Sequence, residues 1–361
     1  MPITAVDSIT PAVEHAKQQL FKPFRIAQWT KLAFVGLLAG ELGSNGCNRS
    51  NFHVPVHPGA PPNIEFPHGG FPHLEFPSVP GVDHAMLAAF IVAAIVAGLA
   101  IGVILMYVSS VMRFVLFDSI IARECHLRWS WSRRLGAGWR YFVWKLGYLL
   151  LTFAAVVVIV AIPLSLAFAA GWFREPKEHL PPLILWGAFV FAAFLVFIVA
   201  TSLILVLTKD FVIPQMALEN IDVMEGWRRL WPMMKAEKGA YAAYIVMKIV
   251  LAIVAAILTG IATVILGVII AIPSMMLGLL AVITGKSAGL TWNIETIALA
   301  VAIGLILLSI FLYLVSLVYV PAIVFFPAYS LYFFAGRYPP LQAVLYPPAV
   351  GPPGAPGMAR A

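Results

Sequence analysis

The sequence predicts an all-α, polytopic transmembrane bundle of about six spans. Three observations predict it. Apolar residues make up 61% of the 361 and charged residues only 11%, against roughly 45–50% apolar in soluble domains. The excess is gathered into five runs, Ala85–Val111 (span 85–111), Leu146–Ala170 (146–170), Leu183–Leu207 (183–207), Ile245–Ile272 (245–272) and Ile297–Val320 (297–320). Each exceeds the ~20 residues with which a helix crosses ~30 Å of hydrocarbon. Lysine and arginine, finally, border these runs rather than interrupt them. In lipid a helix satisfies its own backbone within one segment. The strands of a membrane barrel are ~10 residues of alternating polarity, and these runs are neither that short nor alternating.

The elements follow in order. Residues 1–25 form an amphipathic N-terminal segment. Thr10-Pro11 is a helix start, with proline at the first helical position. Val13, Ala16, Leu20 and Phe24 recur at helical spacing, which predicts a short interfacial helix over 11–22. Residues 26–43, "IAQWTKLAFVGLLAGELG", admit three readings: a span with Lys31 and Glu41 near its ends, a re-entrant piece, or a signal sequence. The leader before the run is long and carries Asp7 and Glu14, unlike a signal peptide, and we read a first span. Residues 44–83 form a loop that holds five of the eight histidines (His53, His57, His68, His73, His84 at its edge) and eight prolines from Pro55 to Pro80. Closely spaced prolines favour an extended, polyproline-like backbone, which does not hold ligands together. The ribbon Asn63–Gly81 therefore reads as a solvated low-complexity loop that binds no metal. Residues 84–335 form the transmembrane domain, and 336–361 a proline-rich tail.

The basic residues orient the chain. With the amino terminus cytoplasmic, 18 of the 23 lysines and arginines fall on the inner side, as the positive-inside rule requires. Both termini are then expected to be cytoplasmic, in a bacterial inner membrane. The tryptophans cluster at the two boundaries in the same scheme and none is mid-span, as aromatic belts do. The net charge of +7 thus belongs to topology and not to nucleic acid. Cys47 and Cys125 lie in different loops and form no disulfide or metal framework.

The spans carry a repeat. "VMRFVLFD" (111–118), "TKDFVIP" (208–214) and "VYVPAIVFFP" (318–327) close three of them. After the first two come "RWSWSRRLGAGWRYF" (128–142) and "VMEGWRRLWPMMKAEKGAYAAY" (223–244), each placing tryptophan beside Arg-Arg. "IVAIPLS" (159–165) and "IIAIPSM" (269–275) then predict an Ile-Pro break in the following span. Both copies run in the same direction, so the repeat is parallel, with a third half-copy. In the second copy Asp222 with Glu225 approximates a capping box. Trp227, Leu230, Trp231 and Met234 share a helical face. Two readings fit these basic segments: a helix on the inner leaflet, with Arg133, Arg134, Arg228 and Arg229 near lipid phosphates and Trp131 and Trp227 at headgroup depth, or a loop helix that only orients the hairpin.

The stretch "DFVIPQMALENIDVMEGWRRLWPMMKAEKGAYAAYIVM" (210–247) resembles the landmark of the membrane domain attached to some bacterial glycerophosphoryl diester phosphodiesterases and of related multi-span bacterial proteins. The likeness is strongest over 209–250 and fainter over 112–150. The phosphodiesterase activity of those proteins belongs to a separate soluble barrel, and no stretch here could hold one. The resemblance implies a membrane domain without its enzyme.

No catalytic motif survives inspection. Gly285-Lys286-Ser287-Ala288-Gly289 matches a nucleophile elbow, but no histidine follows it, as that fold requires. "TGKS" (284–287) lacks the first glycine of a phosphate loop, since position 280 is Leu280. Gly36-x-x-x-Gly40 and Gly98-x-x-x-Gly102 are close-packing candidates. Within the five runs the only charge is Lys248, near an inner edge, whereas ion-coupled transporters keep ionisable groups at mid-membrane. The expected function is a membrane-anchoring, scaffolding or lipid-contacting module without cofactor or catalysis of its own. Membrane lipids and other membrane or membrane-associated proteins are its expected partners. A channel or permease for a small or lipid-like substrate is the alternative.

Overall fold

The computed structural model describes residues 4–41, 84–172, 179–287 and 294–346. The histidine/proline ribbon, Cys47, Trp292 and most of the tail lie outside the described residues. Among those described there is no strand. The chain is all-α, as its apolar runs demand. In order, the helices are α1 (Ile9–Phe21), α2 (Ile26–Ala39), α3 (His84–Ile121), α4 (Leu127–Ala169) and α5 (Leu180–Leu207). A π-helical turn, Thr208–Val212, leads into α6 (Ile213–Glu219). Then come α7 (Val223–Ala236), α8 (Lys238–Ser287), α9 (Ile294–Val318), α10 (Val320–Ala335) and α11 (Pro339–Leu345).

The chain divides into two units, Cys47–Met106 and the remainder. The described part of the first is the apolar beginning of α3, whose side chains from Met86 onward are mostly exposed. Among the described residues nothing lies within 4 Å of a Cβ placed on Gly98 or Gly102.

The second unit holds the core. Five helical stretches of 36 to 48 residues are long and apolar enough to cross a membrane, with mean hydropathy of 2.8–3.0 in their apolar windows. Almost none of those windows is buried inside the protein. A helix apolar on every side and left uncovered belongs in hydrocarbon. The 43 residues of α4 extend about 64 Å, twice what the hydrocarbon needs. The long stretches therefore extend beyond their apolar windows, and in the second unit residues around 107–145, 207–245 and 319–341 pack together. Helix α2, at 14 residues, is shorter than the other five and rises only about 21 Å. Five long helices and one short one thus stand where six spans were expected. Helices α4 and α8 run on through Pro163 and Pro273, so the Ile-Pro sites do not end them.

Aromatic side chains fill the centre. Phe211 lies 5.1–5.9 Å, ring to ring, from Tyr241, Tyr244, Phe333 and Phe334, and Tyr244 stacks on Phe333 at 4.6 Å. Phe114, which precedes Val115 as Phe211 precedes Val212, sits edge-on to Tyr141 at 6.1 Å. Glycines allow the closest crossings. A Cβ on Gly138 would come within 2.5 Å of Val111 Cγ2, and one on Gly226 within 2.6 Å of Val212 Cγ1.

Helix α1 is amphipathic, but protein covers its inner face. It packs along α10, burying Ala12, His15, Ala16, Gln19 and Leu20, while Val13 and Phe24 stay exposed. The buried polar groups are satisfied: His15 Nδ1 meets Tyr332 Oη at 3.1 Å, His15 Nε2 meets Ile120 O at 3.0 Å, and Gln19 Nε2 donates to Ser119 O at 2.9 Å. The helical spacing predicts Val13 and Phe24 on the apolar face. The inner face is centred on Ala12, Ala16 and Leu20, the two alanines being small enough to let the helices approach.

Candidate functional site

The feature the sequence concealed is a cluster of charges inside the packed region. Lys209 pairs with Glu41, and Lys248 with Asp210. Both carboxylates are buried and both lysines nearly so. Tyr244 Oη donates to Asp210 Oδ2 at 2.9 Å, the same oxygen that Lys248 meets. Arg113 completes the group, with Glu41, Asp210 and Tyr141 in electrostatic reach. Lys248 does not reach for the interface, as its place near a span edge suggested. Its ammonium turns inward, because Asp210 offers a charge-assisted partner within the protein.

Four elements bring these groups together. Glu41 follows α2, whose end is set by Gly40 in the left-handed region at φ +77. Arg113 comes from α3 and Lys248 from α8. Lys209 and Asp210 lie on the π-helical turn, a wider coil that recurs at functional sites within α-helices. Trp227 of α7 caps it, donating from Nε1 to Thr208 Oγ1 at 3.0 Å. A cavity of about 40 Å³ opens beside the cluster, lined by Glu41, Arg113, Lys209, Asp210, Pro327 and Ser330 among others.

The sequence-predicted site residues separate into two kinds. Arg134 is turned inward: its Nε and Nη2 grip the two oxygens of Asp118 at 2.8 and 2.6 Å, and Nη1 donates to Ala217 O at 2.7 Å. Arg229 is bound to Glu225 at 3.0 Å and to Glu219. Trp227 is half-buried against the π turn. Arg133, by contrast, is exposed and lies over the Trp129 ring at 5.1 Å. Arg228, with its side chain 79% exposed, touches Glu225 at 2.6 Å. Trp131 is half-buried at the edge of the core. The capping box does not form: Asp222 precedes α7 without a side-chain cap and pairs with Arg140 at 3.3 Å, while the two arginines take Glu225.

Helix α7 nevertheless keeps an outer face. Met224 is 70% and Trp231 54% exposed, and Lys235 Nζ lies over the Trp231 ring at 5.4 Å. Met224, Trp227, Arg228 and Trp231 border a shallow groove there. Pro232 lies within the helix without ending it. Among the described residues no three or more His, Cys, Asp or Glu side chains gather as a metal-ligand set.

Residues 3–344 match a family described as "Family of unknown function (DUF7544)". The chain belongs to the DUF7544 family. The match runs from before α1 to within α11, so it takes in both the buried charges and the basic helix. No curated protein and no solved structure matches this member of the family.

Proposed function

We propose that this protein is a multi-pass membrane module that contacts anionic lipid through helix α7 and has no catalytic activity of its own. The observation that carries the reading is the outer face of α7, where Met224 and Trp231 stand exposed beside Arg228 and Lys235. Apolar and aromatic side chains flanked by cations suit a helix in the headgroup layer, the rings in the interface and the cations by phosphate. Arg133 over Trp129, on α4, repeats the combination. The recurrence of Trp/Arg-Arg in two segments supports a parallel repeat, and the likeness to phosphodiesterase-associated membrane domains supports a module that serves a separate partner. We place the basic face toward the cytoplasm of a bacterial inner membrane, with both termini there. The packing of α1 on α10 and of α11 on α10 supports a shared side.

Lipid-dependent melting in micelles doped with phosphatidylglycerol or phosphatidylcholine tests this. Changing Arg133 and Arg228 to glutamine is expected to weaken phosphatidylglycerol association roughly fivefold for each arginine, and to leave phosphatidylcholine association unchanged. Equal preference in the parent and the double variant would sink the reading.

A permease is the second reading. The buried charges at the π turn favour it, since ionisable groups within membrane helices mark transport pathways.

A further inference from the structure

The two carboxylates of the buried cluster each have a lysine, Glu41 with Lys209 and Asp210 with Lys248. Arg113 is a third cation. Among the described residues it enters no ion pair, and its Nε is sealed from solvent without a hydrogen-bond partner. Arg113 as a whole is half-buried, between the buried Met112 and Phe114. Among the described residues the cations Lys209, Lys248 and Arg113, with Lys145 in electrostatic reach of Arg113, outnumber the carboxylates Glu41 and Asp210, and an excess of buried charge is strongly disfavoured. Arg113 is also one of the residues that line the 40 Å³ cavity, with Lys209 and Ser330 on its wall. That space exceeds what one water needs.

We propose that this cavity binds a phosphate-type oxyanion, with the Arg113 guanidinium as its principal contact. A planar guanidinium presents paired N–H donors that match two oxygens of one phosphate group. The charge fits as well. Cations outnumber carboxylates among the described residues of the cluster, so an anionic guest offsets the excess, while Glu41 and Asp210 on the same wall repel a highly charged one. Two sources supply that chemistry, free inorganic phosphate and the phosphodiester of a lipid headgroup. The site is distinct from the α7 face: Met224, Trp227, Arg228 and Trp231 take no part in its lining. It stands or falls independently of the lipid-contact reading.

The test uses the purified full chain, with parent, Arg113→Gln and Arg113→Lys compared. One arm measures melting against inorganic phosphate, with chloride matching the ionic strength. The other measures retention of phosphatidylglycerol in native mass spectrometry. Binding in the parent is expected to weaken about tenfold or more in Arg113→Gln, with Arg113→Lys between them, because a lysine keeps the charge and loses the paired donors. A response in the first arm identifies a free anion, and a response in the second alone a lipid headgroup. Should Arg113→Gln fail to fold, Arg113→Lys and the cavity-filling Ser330→Val carry the comparison, both weakening binding. Arg228→Gln is expected to leave Arg113-dependent binding intact, which separates this site from the α7 face. Absence of binding of either probe by the parent, or equal binding by the parent and the Arg113 variants, overturns the proposal.

Discussion

Lys248 of α8 and Asp210 of the π turn meet inside the packed region, and Tyr244, one turn before Lys248, gives the same carboxylate oxygen a second donor at 2.9 Å. The pair ties a wide turn of one helix to the beginning of the next long one. Removing one partner strands the other charge in the interior. Asp210→Ala is therefore expected to destabilise the protein by about 3–5 kcal/mol. The double change Asp210→Leu with Lys248→Met should recover much of that, because it removes both charges. Denaturation in a fixed detergent measures the two, and a double variant no more stable than the single would contradict the pairing.

The two arginines of each Arg-Arg pair are expected to behave differently. Arg134→Gln breaks the fork on Asp118 and the bond to Ala217 O and should cost about 2 kcal/mol. Arg133→Gln should leave stability nearly unchanged. Melting of the two single variants checks this, and equal losses would count against it.

Gly138 sets the crossing of α3 and α4. A Cβ there falls within 3.0 Å of the Val111 backbone as well as of its side chain. Gly138→Ala should therefore destabilise by about 1–3 kcal/mol through overpacking. Nothing lies within 4 Å at Gly136, two residues earlier in the same helix, and Gly136→Ala should stabilise by roughly 0.5–1 kcal/mol. Opposite signs in melting are the expected result.

His15 is buried outside the long helices, and burial, with Arg123 nearby, holds its imidazole below the ordinary value of 6.5. The folded state thus binds a proton less readily than the unfolded one. Stability from the neutral ring is fully present above pH 6.5 and is lost as pH falls from there toward the depressed folded value. Melting temperature should drop between pH 7.5 and 5.5 in the parent, and less in His15→Gln. Parallel curves would argue against a neutral, buried imidazole.

The uncovered parts of the fold were the easiest to read. The runs beginning at Leu146, Leu183, Ile245 and Ile297 are apolar on every side because lipid has no face to match, so composition alone reveals them. The packed region carries no such mark. Its helices mix tyrosine, serine, glycine and charge, and residues such as Arg113 and Lys209 look like span edges because the apolar run stops beside them. The helices nevertheless continue, α3 for eight residues past Arg113. A sharper signal was present in the adjacent opposite charges of Lys209-Asp210, placed directly between an apolar run and Phe211-Val212, with no turn residue to release them to solvent. Glu41 gave less away. Its partner lies 168 residues distant, and the pairing depends on a π turn that no periodicity announces. The basic helices were legible as elements, but which arginine of each pair turns inward depends on Asp118 and Glu219, carboxylates contributed by neighbouring helices.

The contacts of α1 have a consequence for biosynthesis. His15 meets Tyr332 across 317 positions and Ala5 O accepts from Tyr329 across 324. Helix α1 thus leaves the ribosome long before the helix it packs along. At ~5–20 residues per second that interval is roughly 15–60 s, during which His15 lacks Tyr332, whereas Ile120 O and the Ser119 O that accepts from Gln19 come earlier, with α3. Each of the long hairpins, α4 with α5 and α8 with α9, can pair as soon as its second helix is made. The packed region closes only when α10 arrives, so a chain truncated before Val320 would keep the apolar part of all five long stretches and lack the helix along which α1 packs.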